Sequence, residues 1–324
     1  MSQISILQTL HFLSKVFIMY TEYNKVLCEH WRKVMEQIKL KALAKINLGL
    51  DVVRKREDGY HEVRMIMQTI NMYDKIAIKK IKENEIKVKT NLYYLPNNEN
   101  NLVYKAAKLL MEEFKLEQGV SIDLEKYIPV AAGMAGGSSD AAAVLIGVNK
   151  LFKLGLSKKQ LMERSVVIGA DVPYCIMRGT ALAEGIGEEL TALKPMPKCY
   201  VLIAKPGISV STKFVYGNLK VNEIKIHPDI DGMIEAIQEG NIVNITKRMG
   251  NVLEEVTIKE YPVIQEIKDI MQENGALNAM MSGSGPTVFG IFTEYEKAQK
   301  AHSILNSSSQ VKQTYLTSVY NNRR

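Results

Sequence analysis

Eight of the twelve residues from Pro129 to Asp140 are glycine, alanine or serine: Pro129, Val130, Ala131, Ala132, Gly133, Met134, Ala135, Gly136, Gly137, Ser138, Ser139, Asp140. An apolar run, Ala141 to Ile146, follows at once and reads as a centrally buried helix. Small side chains let backbone N–H groups approach an anion closely. The emerging helix adds its positive dipole end and its unpaired N–H groups. Ser138 or Ser139 can offer a hydroxyl to phosphate or Mg2+. The chemistry this suggests is the holding of a polyphosphate. It is not a P-loop of the G-x-x-x-x-G-K-[ST] kind, since Ser138 follows Gly137 where that motif needs lysine. A loose loop with Ser139 or Asp140 as helix cap is the plainer alternative for this segment alone.

Three further positions carry polar groups that such a site could use. From Ala42 to Val52 the residues alternate, with Ala44, Ile46, Leu48, Leu50 and Val52 on one face and Lys45, Asn47, Gly49 and Asp51 on the other. That pattern predicts a half-buried strand presenting Lys45 and Asn47 together. Asp58-Gly59 is a turn signal and Val63 to Tyr73 resumes a strand-like pattern, so Tyr60 and His61 fall at a hairpin connection. Asp171 lies just beyond a helix that a capping box, Ser157 to Gln160, opens, that Leu161, Val166 and Val167 continue, and that Gly169 can end. On residue type alone, Asp171 before Val172-Pro173 is a turn residue and Lys45 an exposed strand lysine.

Together these segments resemble the GHMP kinase superfamily. Pro129 to Ser139 is similar to its second motif, Lys41 to Leu50 to its first, and Met281-Ser282-Gly283-Ser284-Gly285-Pro286-Thr287 to its third, a glycine turn that is weak evidence by itself. Lys41 to Leu50, Asp58 to Glu62 and Gly169 to Pro173 take the form found in the subfamily that acts on 4-diphosphocytidyl-2-C-methyl-D-erythritol. The matches occur in order from about residue 36 to 324. The resemblance implies an α+β, two-lobed kinase with an N-terminal lobe of ribosomal-protein type. It implies ATP with its Mg2+ as cofactor, Asp171 as catalytic base and Lys45 as its partner at the reacting 2-hydroxyl. Tyr60 and His61 would read the cytosine, Tyr216 would close the other side of the base, and Asn47 would touch substrate; a core role for Tyr216 is as plain a reading. Ala131, Ala132 and Ala135 stand where many relatives have glycine. These three positions are expected to avoid positive φ unless strain is tolerated, and Gly133, Gly136 and Gly137 remain for close backbone approach.

The remaining chain supplies the scaffold. Asn97 to Asn101 is a turn cluster before a helix carrying Leu102, Ala106, Leu109, Leu110 and Phe114, and Val120 to Leu124 is the strand leading into the glycine-rich loop. Beyond residue 195 we expect a strand at Tyr200–Ala204, helices near 232–239 and 262–272, strands at 276–281 and 287–292, and a last helix from about Glu294. The expected division is an extension at 1–35, an ATP-binding domain at 36–194 and a C-terminal domain at 195–324.

Of 324 residues, 46% are hydrophobic and 24% charged, a balance suited to a folded core. The net charge of +7 favours an anionic partner. The densest basic stretch, Lys75 to Lys89, alternates with isoleucine and valine and reads as strands with a solvated face, against a nucleic-acid surface. A nonenzymatic nucleic-acid-binding protein is the rival of another class; homoserine, mevalonate or sugar kinases are the rivals within the superfamily, lacking the Tyr60-His61 pair. Three scattered cysteines and five scattered histidines predict a reducing compartment and no protein-bound transition metal. No membrane span is expected. The reading is a cytoplasmic monomer or homodimer with a small-molecule substrate.

Overall fold

The computed structural model describes residues 36–322 together with Met19 and Tyr20; the rest of the expected extension lies outside the described residues. The framework is a long antiparallel hairpin, β1 (Gln37–Lys55) and β2 (His61–Ile81), joined by the Asp58-Gly59 turn. A βαβ unit follows: β3 (Ile86–Thr90), α1 (Leu102–Glu113) and β4 (Gly119–Glu125), with β3 and β4 parallel and β4 laid against β2. Asn101 caps α1 through its side chain, as the turn cluster suggests. The chain then passes through the glycine-rich loop into α2 (Gly136–Leu151), α3 (Lys158–Ser165) and α4 (Val172–Met177), and returns as β5 (Thr180–Glu184) on β2 and β6 (Glu189–Ala192) on β5.

The second sheet has the order β11-β7-β10-β9, antiparallel throughout, from β7 (Tyr200–Pro206), β9 (Asn278–Met281), β10 (Val288–Phe292) and β11 (Val311–Ser318). Around it lie α5 (Thr212–Asn218), α6 (Ile230–Glu239), α7 (Ile242–Lys247), α8 (Glu254–Glu260), α9 (Val263–Glu273) and α10 (Tyr295–Asn306). A two-residue strand, β8 (Gly250–Asn251), leaves this half of the chain and pairs with β1 in the first sheet. A backbone bridge, Ile70 with Val319, ties the two sheets directly.

Strand β1 departs from the expected half-buried alternation, since every residue from Ala42 to Leu50 is buried. The pairing of β1 with β2 shifts register between Leu43 and Lys45 and again between Asn47 and Gly49. Each shift turns the following side chains to the other face. Ala44, Ile46 and Leu48 therefore pack with Ile203, Met233 and Phe289, whereas Leu50 and Val52 join the cluster that contains Val144 and Leu145 of α2. Lys45 and Asn47 sit between the two irregularities.

Three other expectations change. Helix α3 stops at Ser165 and leaves Val166 and Val167 exposed, so its capping box forms but its last apolar turn does not. Helix α2 begins at Gly136, behind Ala135, and neither Ser139 nor Asp140 is its cap. Strand β11, the helices α5, α7 and α8 and the short β8 add to the expected elements of the C-terminal half.

Candidate active site

One cleft of about 1150 Å3 gathers the sequence-derived residues. Its wall includes Lys45, Asn47, Tyr60, His61, Asp171 and Tyr216, together with Pro129 to Gly133 and Ala135 to Ser138 of the loop. Met134 and Ser139 do not line it. Met134 is buried and its carbonyl accepts the Lys45 N–H at 3.2 Å, which fixes the loop to β1. Ser139 is buried, and its hydroxyl donates to the Leu43 carbonyl. Ser138 is the loop hydroxyl that reaches the cleft.

The loop holds its shape by backbone strain and by close packing. Ala131 and Ala135 take φ of 50° and 53°, against the expectation that they avoid this region, and Gly133 takes 72°. The left-handed turn at Ala135 is what swings the chain into α2, and an L-residue pays roughly 1–2 kcal/mol to adopt it. Only glycine fits at 133 on a second count. A Cβ there would lie 2.0 Å from the Ser282 carbonyl oxygen. The Ser282 hydroxyl donates to the Gly133 carbonyl at 2.9 Å, so the Met281 to Thr287 turn buttresses the loop from outside. That turn is in turn held by Asn251, whose amide donates to the Met281 and Gly283 carbonyls at 2.9 and 2.8 Å.

Lys45 is 5% exposed, and its ammonium donates to the Asn47 side-chain oxygen at 2.8 Å while lying 3.9 Å from an Asp171 carboxylate oxygen. Asn47 is thereby a second neighbour of the lysine as well as a wall residue. Asp171 stands at the entry of α4, where Pro173 occupies the first turn. That short helix is anchored by Tyr174, fully buried, whose hydroxyl meets the Thr69 hydroxyl at 3.0 Å and donates to the Gly179 carbonyl at 2.7 Å. Burial pushes the neighbouring Cys175 thiol up to about 12, so it stays protonated beside the site.

At the hairpin tip Tyr60 is 61% exposed, and its N–H donates to Asp58 at 3.0 Å. The His61 and Tyr216 rings are in contact, 5.1 Å between centroids and tilted by 40°. Partial burial, and the Lys55 charge beside it, hold the imidazole below its ordinary pKa. Burial raises the Tyr216 phenol, which Asp171 raises further, and both rings are therefore neutral near pH 7. Leu95, Pro96, Leu102 and Leu124 supply an apolar part of the cleft lining.

The sequence gives no hint of a second group of charges beneath the loop. Lys126 bridges Asp74 and Asp140, with 2.6 Å to Asp140, and all three are nearly inaccessible. Asp74 also accepts the N–H groups of Tyr127 and Ile128. Burial holds Asp140 well above the usual carboxylate range, and its second oxygen has no hydrogen-bond partner. Nothing in the local sequence pairs the three, and only the fold brings them together. Among the described residues no group of three or more His, Cys, Asp or Glu side chains is arranged to hold a metal ion, and no helix is long and apolar enough to cross a membrane.

The GHMP kinases N terminal domain matches residues 101–179 and the GHMP kinases C terminal domain matches residues 233–309. A 4-diphosphocytidyl-2-C-methyl-D-erythritol kinase of Lachnospira eligens is 58% identical over 286 residues, 88% of this chain and 99% of the relative. The enzyme of the same name from Lachnoclostridium phytofermentans is 56% identical, over 89% of this chain and 99% of its own. The chain belongs to the 4-diphosphocytidyl-2-C-methyl-D-erythritol kinase family. A crystal structure of a 4-(cytidine 5'-diphospho)-2C-methyl-D-erythritol kinase superposes on this kinase with a TM-score of 0.76 at 29% identity, covering 88% of this chain and 100% of that one. A homoserine kinase from Cytophaga hutchinsonii, at 21% identity and TM-score 0.73 over 88% of this chain and 95% of its own, shares the fold.

Proposed function

We propose that this kinase transfers the γ-phosphoryl group of Mg-ATP to the 2-hydroxyl of 4-diphosphocytidyl-2-C-methyl-D-erythritol, in non-mevalonate isoprenoid precursor synthesis. The observation that carries the reading is the convergence, on one cleft wall, of the loop N–H groups, the Lys45–Asp171 pair and the His61–Tyr216 ring pair. The loop and the start of α2 hold the polyphosphate by backbone N–H groups and the helix dipole. The apolar part of the cleft lining takes the purine. Asp171 accepts the proton of the attacking hydroxyl, and Lys45, kept in place by Asn47, neutralises charge on the transferring oxygens. Because the His61 and Tyr216 rings touch each other, the cytosine stacks on this pair from the Tyr60 side, with the imidazole free to hydrogen-bond its edge.

Mg2+ arrives on the nucleotide in this reading. Ser138, whose hydroxyl reaches the cleft, is the loop residue fitted to meet it, whereas the Ser139 hydroxyl is occupied by the Leu43 carbonyl. Bound Mg2+ would screen the phosphate charge as it develops. The kinase acts as a monomer or homodimer in the cytoplasm, without nucleic acid, and the division of its chain at 194/195 belongs to the same proposal.

The test is ATP consumption with three acceptors: the cytidyl substrate, mevalonate and homoserine. Turnover is expected with the first alone. Turnover of homoserine or mevalonate at comparable kcat/KM would remove the cytidyl specificity assigned to the hairpin tip.

A further inference from the structure

The phosphate loop leaves β4 at Lys126 and enters α2 ahead of Asp140, and these two residues are joined to each other. The Lys126 ammonium donates to an Asp140 carboxylate oxygen at 2.6 Å and to Asp74 of β2. The backbone at Lys126 is fixed as well, its N–H donating to the Asn91 side chain at 2.8 Å and its carbonyl accepting from it at 3.2 Å. Asp74 receives the next two N–H groups, those of Tyr127 and Ile128. The chain entering the loop is thus held at three successive residues.

The ammonium also lies directly under the mouth of the helix. A Cβ on Gly136, the first residue of α2, would come within 3.2 Å of the Lys126 nitrogen. Lys126 and Asp140 line the same cleft as Gly136 and Gly137, in direct contact with the start of the helix. A displacement of Lys126 or Asp140 therefore passes straight to the backbone of Gly136 and Gly137. The acceptor side of the cleft, by contrast, takes its side chains from β1, the hairpin tip, α4 and α5, and the Lys126 ammonium donates to none of them.

We propose that Lys126, bridged to Asp140 and Asp74, is a clasp that closes the two ends of the phosphate loop and sets the affinity of the site for ATP, as a positioning group that leaves acceptor binding untouched. This rests on the loop being the ATP site. The middle of the loop is held by the Lys45 N–H on the Met134 carbonyl and by Ser282 against Gly133, and the bridge adds a constraint at its two ends. The unpartnered oxygen of Asp140 fits this role, because the carboxylate is placed by one strong bond and not by a complete set of acceptors.

The experiment is steady-state kinetics with each substrate varied separately, on wild-type protein and on Asp140→Ala, Asp140→Asn and Asp140→Glu, with folding checked by circular dichroism. In Asp140→Ala the KM for ATP is expected to rise about tenfold or more, with the KM for the cytidyl acceptor within about twofold. Asp140→Asn keeps an acceptor for the ammonium and should recover most of that loss. Asp140→Glu keeps the ion pair but moves the carboxylate by one methylene, and should raise the KM for ATP by an intermediate factor; it serves in place of Asp140→Ala should that variant fail to fold. Folded variants with unchanged KM for ATP, or with both KM values raised alike, would overturn the clasp while leaving the ATP site standing. Absence of ATP turnover by the wild-type chain would overturn both.

Discussion

The cleft contains two lysine–aspartate groupings that differ in nearly every physical respect. Lys45 and Asp171 stand 3.9 Å apart, and the carboxylate side chain is 34% exposed. Lys126 and Asp140 are 2.6 Å apart, with side chains 4% and 3% exposed, and Asp74 completes a buried triad. The first pair is loose and faces the cavity, so a substrate hydroxyl can come between its members. The second is buried, and its ammonium is held between two carboxylates. A short, dry ion pair marks where a backbone must not move, and a long, wet one marks where chemistry can enter.

The comparison breaks most sharply at Asp171. Replacing it by asparagine keeps its size but removes the proton acceptor, and kcat is expected to fall by roughly 10²–10⁴ with ATP binding retained. Single-turnover kinetics together with nucleotide titration would check this. Near-wild-type turnover would mean that the loose pair is not the catalytic one.

Lys126→Met attacks the other pair and should act first on stability. Removing one partner of a buried bridge costs about 3–5 kcal/mol, because two carboxylates are then left facing each other. Denaturant unfolding should show the loss, and its pH dependence carries a sign. Burial has raised Asp140, so the native state favours its protonated form; the penalty should be smaller at low pH and grow as pH rises through the raised value. An equal loss at all pH values would argue against a buried ionised pair. The smallest effect lies at the hairpin tip. NMR titration of His61 should give a midpoint below 6.5, and Lys55→Met should move it upward, since a neighbouring positive charge disfavours protonation.

Much of the site is legible before any coordinates because its parts are local in sequence. The run of small residues from Pro129 to Ser139, the turn at Asp58-Gly59 and the polar positions Lys45 and Asn47 each announce themselves within a dozen residues. What escapes is whatever depends on distant partners. Asp74, Lys126 and Asp140 each sit beside charged or polar neighbours, and nothing in the local pattern says that they meet. The register shifts in β1 are invisible to a period-of-two reading, which placed Leu50 on the same face as Ile46. The left-handed alanines were missed for a related reason. Local preference argues against them, and the packing of the loop against β1 and the Ser282 turn overrules it. Strand β11 was missed because its apolar residues do not alternate, so pairing with β7 decides its conformation.

The buttress that Ser282 forms against Gly133 has a consequence for how the molecule comes into being. A ribosome delivers β1 and the phosphate loop early and the Met281 to Thr287 turn near the end, at roughly 5–20 residues per second. For roughly 5–20 seconds the strands β1 to β6 therefore exist without the residues that finish the nucleotide cradle. The nascent chain can condense around its hairpin, yet the Gly133 buttress waits for Ser282, so ligand binding would report on the joining of the two halves of the chain.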